Sequence, residues 1–193
     1  GVKEKPTTDD GKKLNPIIKY NVYLMSIGFL VDDKSPMVWR GPMVISAIKT
    51  FVNNVNWTNL DYLIIDLPPG TGDALITFSQ ELEIDGAIII TTPQKLSVND
   101  ATRGIEMFKK TKVPVIGVIE NMSYLIDSNN NKKFIFSKGG GDTIAKSQNI
   151  ELLGQIPIHE SISASSDNEI PLMCSLNEDM ITREIKNIVL KIK

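Results

Sequence analysis

Ala87-Ile88-Ile89-Ile90 and Val115-Ile116-Gly117-Val118-Ile119 are short runs without a charged or polar side chain. Tyr62-Leu63-Ile64-Ile65 is similar, its one polar group a phenol. Such runs have strand length, and they are too apolar for a strand with one wet face. They read as strands buried on both sides, the kind found in parallel sheets covered by helices. The segments between them carry the helical period. Gly41-Pro42 opens a helix with Val44, Ile48, Phe51 and Val55 on one face. Ala74 to Leu82 is helical, and Ser97 and Asp100 have capping-box spacing for a helix running to about Thr111. Gly140 to Gln148 and roughly Glu178 to Lys191 read as two more helices; Val22 to Ile27 and Leu152 to Ile156 are strand-like. The alternation predicts an α/β fold, a parallel sheet with helices on both faces.

With 193 residues, the chain fits one domain or a large piece of one. Hydrophobic residues at 41% and charged residues at 23% exclude wholesale disorder. A net charge of −2 argues against sequence-blind nucleic-acid binding. No apolar run approaches the roughly 20 residues of a spanning helix, so no membrane partner is expected. One cysteine and one histidine rule out an internal disulfide and a soft-metal cluster within the chain, and suit a reducing compartment such as the cytoplasm. Residues 1–16 are polar, punctuated by proline and glycine, and read as a mobile arm without a signal-peptide core. Residues 123–138 interrupt the alternation and read as an inserted loop or hairpin, with Phe134-Ile135-Phe136 as its returning edge.

The strongest chemical signal is DYLIIDLPPGTGD, Asp61 to Asp73. A buried strand would end at Asp66, and a Pro/Gly turn would lead into a helix. Ligands of open parallel sheets sit at the carboxyl ends of strands. A carboxylate there can hold Mg²⁺ through water, because the ion keeps much of its hydration shell. Gly70 and Gly72 let backbone N–H groups approach a terminal phosphate. The local chemistry alone equally allows a junction in which Asp66 caps the next helix.

The segment resembles the switch II and Walker B region of the Mrp/ApbC family of P-loop ATPases, the iron–sulfur cluster carriers. The resemblance continues in order through LMSIGFLVDD (Leu24–Asp33), WRGPM (Trp39–Met43), TTPQ (Thr91–Gln94), GIEMFKK (Gly104–Lys110), VPVIGVIENMSY (Val113–Tyr124), LGQIPI (Leu153–Ile158) and SDNEIP (Ser166–Pro171), nearly the whole chain. It implies a MinD-like P-loop NTPase fold, ATP and Mg²⁺ as cofactors, a homodimer, and apoprotein clients of iron–sulfur assembly. Residue by residue, it gives Asp66 the Walker B role, toward Mg²⁺ through water, and Gly70-Thr71-Gly72 the γ-phosphate-sensing role. It makes Asn121 an adenine contact and places Pro157, with Ile158, in the loop that packs on the purine.

Two departures stand against this pattern. The sequence G-K-[S/T] occurs nowhere, so the lysine-bearing phosphate loop is absent; the resemblance puts that loop, its strand and its helix upstream of Gly1. The chain alone is then expected to hydrolyse no ATP, and its sheet to carry an open edge. Asp127 and Asn130 stand where the family has its paired cluster-ligand cysteines, and clusters want thiolates. A MinD/ParA-type positioning ATPase without a cluster, or a non-catalytic interaction module, are the alternatives. Cys174 reads as a small buried hydrophobe, His159 as a solvated loop residue outside any triad, and Arg40 as a surface residue at a helix start. Gly139-Gly140-Gly141 reads as a flexible lead into a helix. The stripe Ile181, Ile185, Ile188, Val189 and Ile192 should face the sheet rather than a membrane.

Overall fold

A computed structural model describes residues 1–9, 11–30, 41–67, 72–174 and 179–192. The chain forms two compact units, Val2–Ile84 and Asp85–Lys193.

In the first unit, strands β1 (Ile17–Lys19) and β2 (Val22–Leu24) pair antiparallel around Tyr20-Asn21. Both turn residues have positive φ, 52° and 59°, the turn whose twist matches that of the flanking strands. Within residues 1–16, Thr7 bridges to Asn15, and Leu14 bridges in parallel to Val55. Helices α1 (Gly41–Asn53) and α2 (Gly72–Glu81) share a core of Ile48, Ala74 and Phe78. Outside it, Glu81 pairs with Lys49 at 3.2 Å and accepts from Asn53 Nδ2 at 3.3 Å.

The expected strand Tyr62–Ile65 does not form. The segment from Tyr62 to Leu67 enters no ladder, and Tyr62 and Ile64 are 71% and 85% exposed. Only Ile65 and Leu67 lean on the α1–α2 core. Apolar character gives a run its tendency to be extended, but a strand also needs a neighbour for its N–H and C=O groups.

The second unit holds the sheet. β3 (Ala87–Thr91), β4 (Val115–Glu120) and β7 (Glu151–Gln155) lie in that order, every pair parallel. Between β4 and β7 come a short antiparallel hairpin, β5 (Leu125–Ile126) with β6 (Lys132–Lys133), and helix α4 (Gly140–Gln148). Helix α3 (Lys95–Lys110) joins β3 to β4, and α5 (Glu160–Asp167) and α6 (Met180–Ile192) follow β7. One face of the sheet is closed by α3 and α4, where Ile105 and Ile144 meet Ile89 and Val118. On the other face Ile188 of α6 packs on Ile119 and Leu153. A Cβ on Gly154 would run into the Ile188 side chain, so glycine is what lets α6 ride this close to β7.

The stripe on α6 faces the sheet through Ile188; Ile181 is fully buried, while Val189 is 46% exposed. Burial on both sides holds for residues 117–120 of β4, the central strand, though not for its Ile116, 36% exposed, and not for β3. There Ala87, Ile89 and Thr91 are buried but Ile88 and Ile90 are 37% and 65% exposed. Helix α6 covers only the β4–β7 half of its face, and β3 is paired on one side only among the described residues. Helix α3 starts at Lys95 with Gln94 as its N-cap, so Ser97 is an interior residue that bonds Thr92 Oγ1 at 2.8 Å instead of capping. The returning hairpin strand is Lys132–Lys133, not Phe134–Phe136, because the turn closes earlier on Asp127.

Candidate functional site

Three parallel strands end together in the second unit, and their last residues lead into Thr91–Gln94, Asn121–Tyr124 and Ile156–Ile158. That is the end of a parallel sheet where ligands are bound. Asn121 follows β4 directly. Its backbone N–H donates to Thr91 O at 2.7 Å, fastening it to the end of β3. Its side-chain oxygen accepts from the Met122 N–H at 2.9 Å, and Met122 takes a left-handed φ of 53°. One lone pair of that oxygen and the amide NH₂ group have no partner among the described residues. Pro157 is fully buried; Ile158 beside it is half-buried and has surface to offer a ligand.

Glu120, the last residue of β4, is wholly buried. Its Oε1 accepts from Ser123 Oγ at 2.5 Å and Gln155 Nε2 at 2.9 Å, and its Oε2 accepts from the Gly141 N–H at 2.6 Å. A Cβ on Gly141 would stand 2.9 Å from Glu120 Cβ, and one on Gly140 would stand 2.8 Å from Pro93 Cα. The glycines are therefore seats for neighbouring strand ends rather than a flexible lead or a cradle for an outside phosphate. Sequence reasoning missed Glu120; a lone acid closing an otherwise apolar strand, upstream of a triple glycine, was the available signal.

In the first unit Asp66 is exposed and has no hydrogen-bond or ion-pair partner among the described residues. No group of three or more potential ligand residues gathers among the described residues. A lone, solvated carboxylate of this kind suits Mg²⁺ held through water rather than a dedicated cage. Among the described residues no helix N–H donates to it. Gly72 is the first residue of α2, while Gly70, Thr71 and Arg40 lie outside the described residues.

The hairpin carries the two positions expected of cluster ligands. Asp127 Oδ1 accepts from the Asn129 and Asn131 N–H groups at 2.9 and 2.8 Å, and Asn130 takes a left-handed φ of 63°. Asp127 closes the turn with its side chain and Asn130 with its backbone, and neither offers a thiolate. Lys132 Nζ lies 3.9 Å from the centre of the Tyr124 ring, and Tyr124 meets Phe134 edge-on. Cys174 is exposed, at the end of a 3₁₀ turn over Leu172–Cys174. It was expected to be buried, but the turn gives the core only a partly covered Leu172.

His159 caps α5: its Nδ1 accepts from the Ser161 N–H at 3.2 Å and lies 2.8 Å from Ser161 Oγ. Ser161 Oγ in turn reaches Asp179 Oδ2 at 3.4 Å, and Asp179 Oδ1 accepts from the Thr182 N–H at 2.8 Å. The carboxylate meets the hydroxyl and not the imidazole, so this trio joins two helix starts and is no nucleophilic triad. The Thr182 N–H bond holds the Asp179 carboxyl below its ordinary value. Asp179→Ala should cost about 1 kcal/mol, the usual worth of an N-cap. A lowered value means the contribution is present above the ordinary carboxylate pKa and fades as pH falls through the lowered one. Urea midpoints taken down the acid range check this. Asp179→Asn, which keeps a capping oxygen, should flatten that acid-side slope, and an unchanged slope would count against the cap.

A family model described as ParA: NUBPL iron-transfer P-loop NTPase matches residues 1–193. The "Iron-sulfur protein required for NADH dehydrogenase, mitochondrial" of Arabidopsis thaliana is 40% identical over 188 residues, 97% of this chain and 60% of its own length. The "Iron-sulfur cluster transfer protein NUBPL" of Dictyostelium discoideum is 40% identical over 96% of this chain and 58% of its own. The "Iron-sulfur cluster carrier protein" of Escherichia coli K12 is 42% identical over 93% of this chain and 49% of its own. The chain thus spans roughly half to three-fifths of the curated relatives it matches. Among solved structures, a nucleotide-binding protein in complex with ADP from Archaeoglobus fulgidus superposes with a TM-score of 0.70 at 31% identity, covering 92% of this chain and 72% of that one. The cell division ATPase MinD of Pyrococcus furiosus superposes at 0.56 and 16% identity, over 79% of this chain and 58% of its own, a likeness of fold alone.

Proposed function

The chain belongs to the NUBPL iron-transfer P-loop NTPase family, and on that premise we propose that it is the nucleotide-responsive part of an Mrp-type iron–sulfur cluster carrier. The observation that carries the proposal is the match over residues 1–193, shared with relatives named as cluster carrier and transfer proteins. The convergence of three strand ends on Asn121 and Ile158 supports it, as does the solvated carboxylate of Asp66.

In this reading Asn121 contacts adenine, and Pro157 props Ile158 against the purine. Asp66 would hold Mg²⁺, which would supply positive charge beside the phosphates. Gly70-Thr71-Gly72 senses the terminal phosphate, and the change is passed to a homodimer that hands a cluster to apoprotein clients. The cluster is cargo. Asp127 and Asn130 do not suit it, so no ligand role is given to them. The compartment is a reducing one such as the cytoplasm, and among the described residues no helix is long and apolar enough to cross a membrane.

This chain, which contains no lysine-bearing phosphate loop, should release no phosphate from ATP above the buffer rate. In a longer protein that carries such a loop, Asp66→Ala should abolish Mg²⁺-dependent hydrolysis and leave the circular dichroism spectrum unchanged. Turnover that survives Asp66→Ala would remove Asp66 from the metal site. Iron and sulfide analysis of the longer protein after anaerobic reconstitution, with and without ATP, tests the carrier role itself.

A further inference from the structure

Glu120 carries more than packing. A buried carboxyl normally costs stability unless every lone pair is used, and here the donors come from three separate pieces of chain. Ser123 lies on the turn after β4, Gln155 ends β7, and Gly141 is in the first turn of α4. The backbone around the side chain is fastened to the same pieces. Glu120 O accepts from the Ile156 N–H at 2.8 Å, and the Ser123 N–H donates to Ile156 O at 2.9 Å. Asn121 sits between these ties.

We infer that Glu120 is a positioning residue: its carboxyl locks the Asn121–Ser123 turn to the β7 end and to the glycine start of α4, so that the Asn121 amide is presented preformed. The lock is a property of this chain by itself. Its consequence for base choice rests on the proposed adenine contact.

The two halves separate experimentally. Glu120→Leu keeps a buried side chain of similar size and removes both acceptor oxygens, and with them all three hydrogen bonds. Without nucleotide, amide hydrogen exchange should accelerate at least tenfold at Asn121 and Ser123, while Ile105, Val118 and Ile144 in the adjoining core stay within about twofold of wild type. Neither fast amide is bonded to the Glu120 side chain, so the change reads release of the turn. Glu120→Gln keeps one acceptor for the Gly141 N–H and should restore most of the protection. Should Glu120→Leu fail to fold, Glu120→Ala serves in its place. Equal acceleration at core and turn amides, or none at the turn, would overturn the lock.

The second arm titrates ADP and GDP separately into this chain and into its Glu120→Leu variant by calorimetry. Wild type should prefer ADP, and Glu120→Leu should lose at least fivefold of that preference while its affinity for GDP changes little. A parallel loss of both nucleotides would overturn the link to base choice. Absence of any adenine preference in wild type would bring down the Asn121 reading alone, because the exchange arm has already decided the lock.

Discussion

Ile105→Ala is expected to lower the unfolding free energy of the second unit by about 3 kcal/mol, within the roughly 2–5 kcal/mol range of large-to-small core changes. Ile105 has no solvent exposure and sits where α3 meets Ile89 of β3, Val118 of β4 and Ile144 of α4. Its neighbours are held by helices and by a ladder paired on both sides of β4, so the walls have little freedom to collapse into the space. Against a domain stability of roughly 5–15 kcal/mol, that is a large fraction. Leu96, on the same helix but 74% exposed, is the control, and its alanine variant should stay within about 0.5 kcal/mol. Urea unfolding of the three proteins decides it. A cost below about 1 kcal/mol for Ile105→Ala would mean that this core relaxes and does not key the sheet to its helices.

That core was legible because its determinants are local. Ala87–Ile90 and Val115–Ile119 announce strands by composition, and α4 runs from Gly140 to Gln148 as its period predicts. Tyr62–Ile65 was misread by the same rule, since composition does not say whether a neighbouring strand is at hand. The exposure of Ile88 and Ile90 was equally invisible: a strand's sequence records how apolar its faces are, not how far the covering helix reaches.

Of the candidate site, the Asp66 junction was legible as a carboxylate with two possible uses, and Asn121 was singled out by the family resemblance rather than by its own chemistry. Pro157 could be named, but not that it is buried while Ile158 faces outward. Glu120 was overlooked because an acid ending an apolar run looks like the first wet residue of a loop. Its burial depends on donors that lie 3, 21 and 35 residues away in sequence. His159 and Asp179 likewise acquire their meaning as linked caps only when α5 and α6 start side by side.

Anaerobic reconstitution of this chain with iron and sulfide should leave the hairpin empty of cluster, and Asp127→Cys with Asn130→Cys should change that outcome. Soft thiolates hold such clusters, whereas a carboxylate and an amide are hard ligands better matched to hard cations. The structure adds a second reason: Asp127 Oδ1 is already shared by two N–H groups of its own turn, and Asn130 sits at left-handed φ to close it. The double variant loses those two hydrogen bonds, at about 1 kcal/mol each. It gains two thiols in a tight hairpin, the number one protomer brings to a cluster shared between two. The expected result is visible charge-transfer absorbance with about half a cluster per chain, where wild type shows none. Cys174→Ser in the wild-type background separates the remaining possibility, because Cys174 is exposed and is the chain's only thiol. A stoichiometric cluster on wild type that disappears with Cys174→Ser would move the cargo site to that turn. One that survives it would have to use non-thiolate ligands, since no other thiol is present, and would refute the assignment of Asp127 and Asn130 to the turn alone.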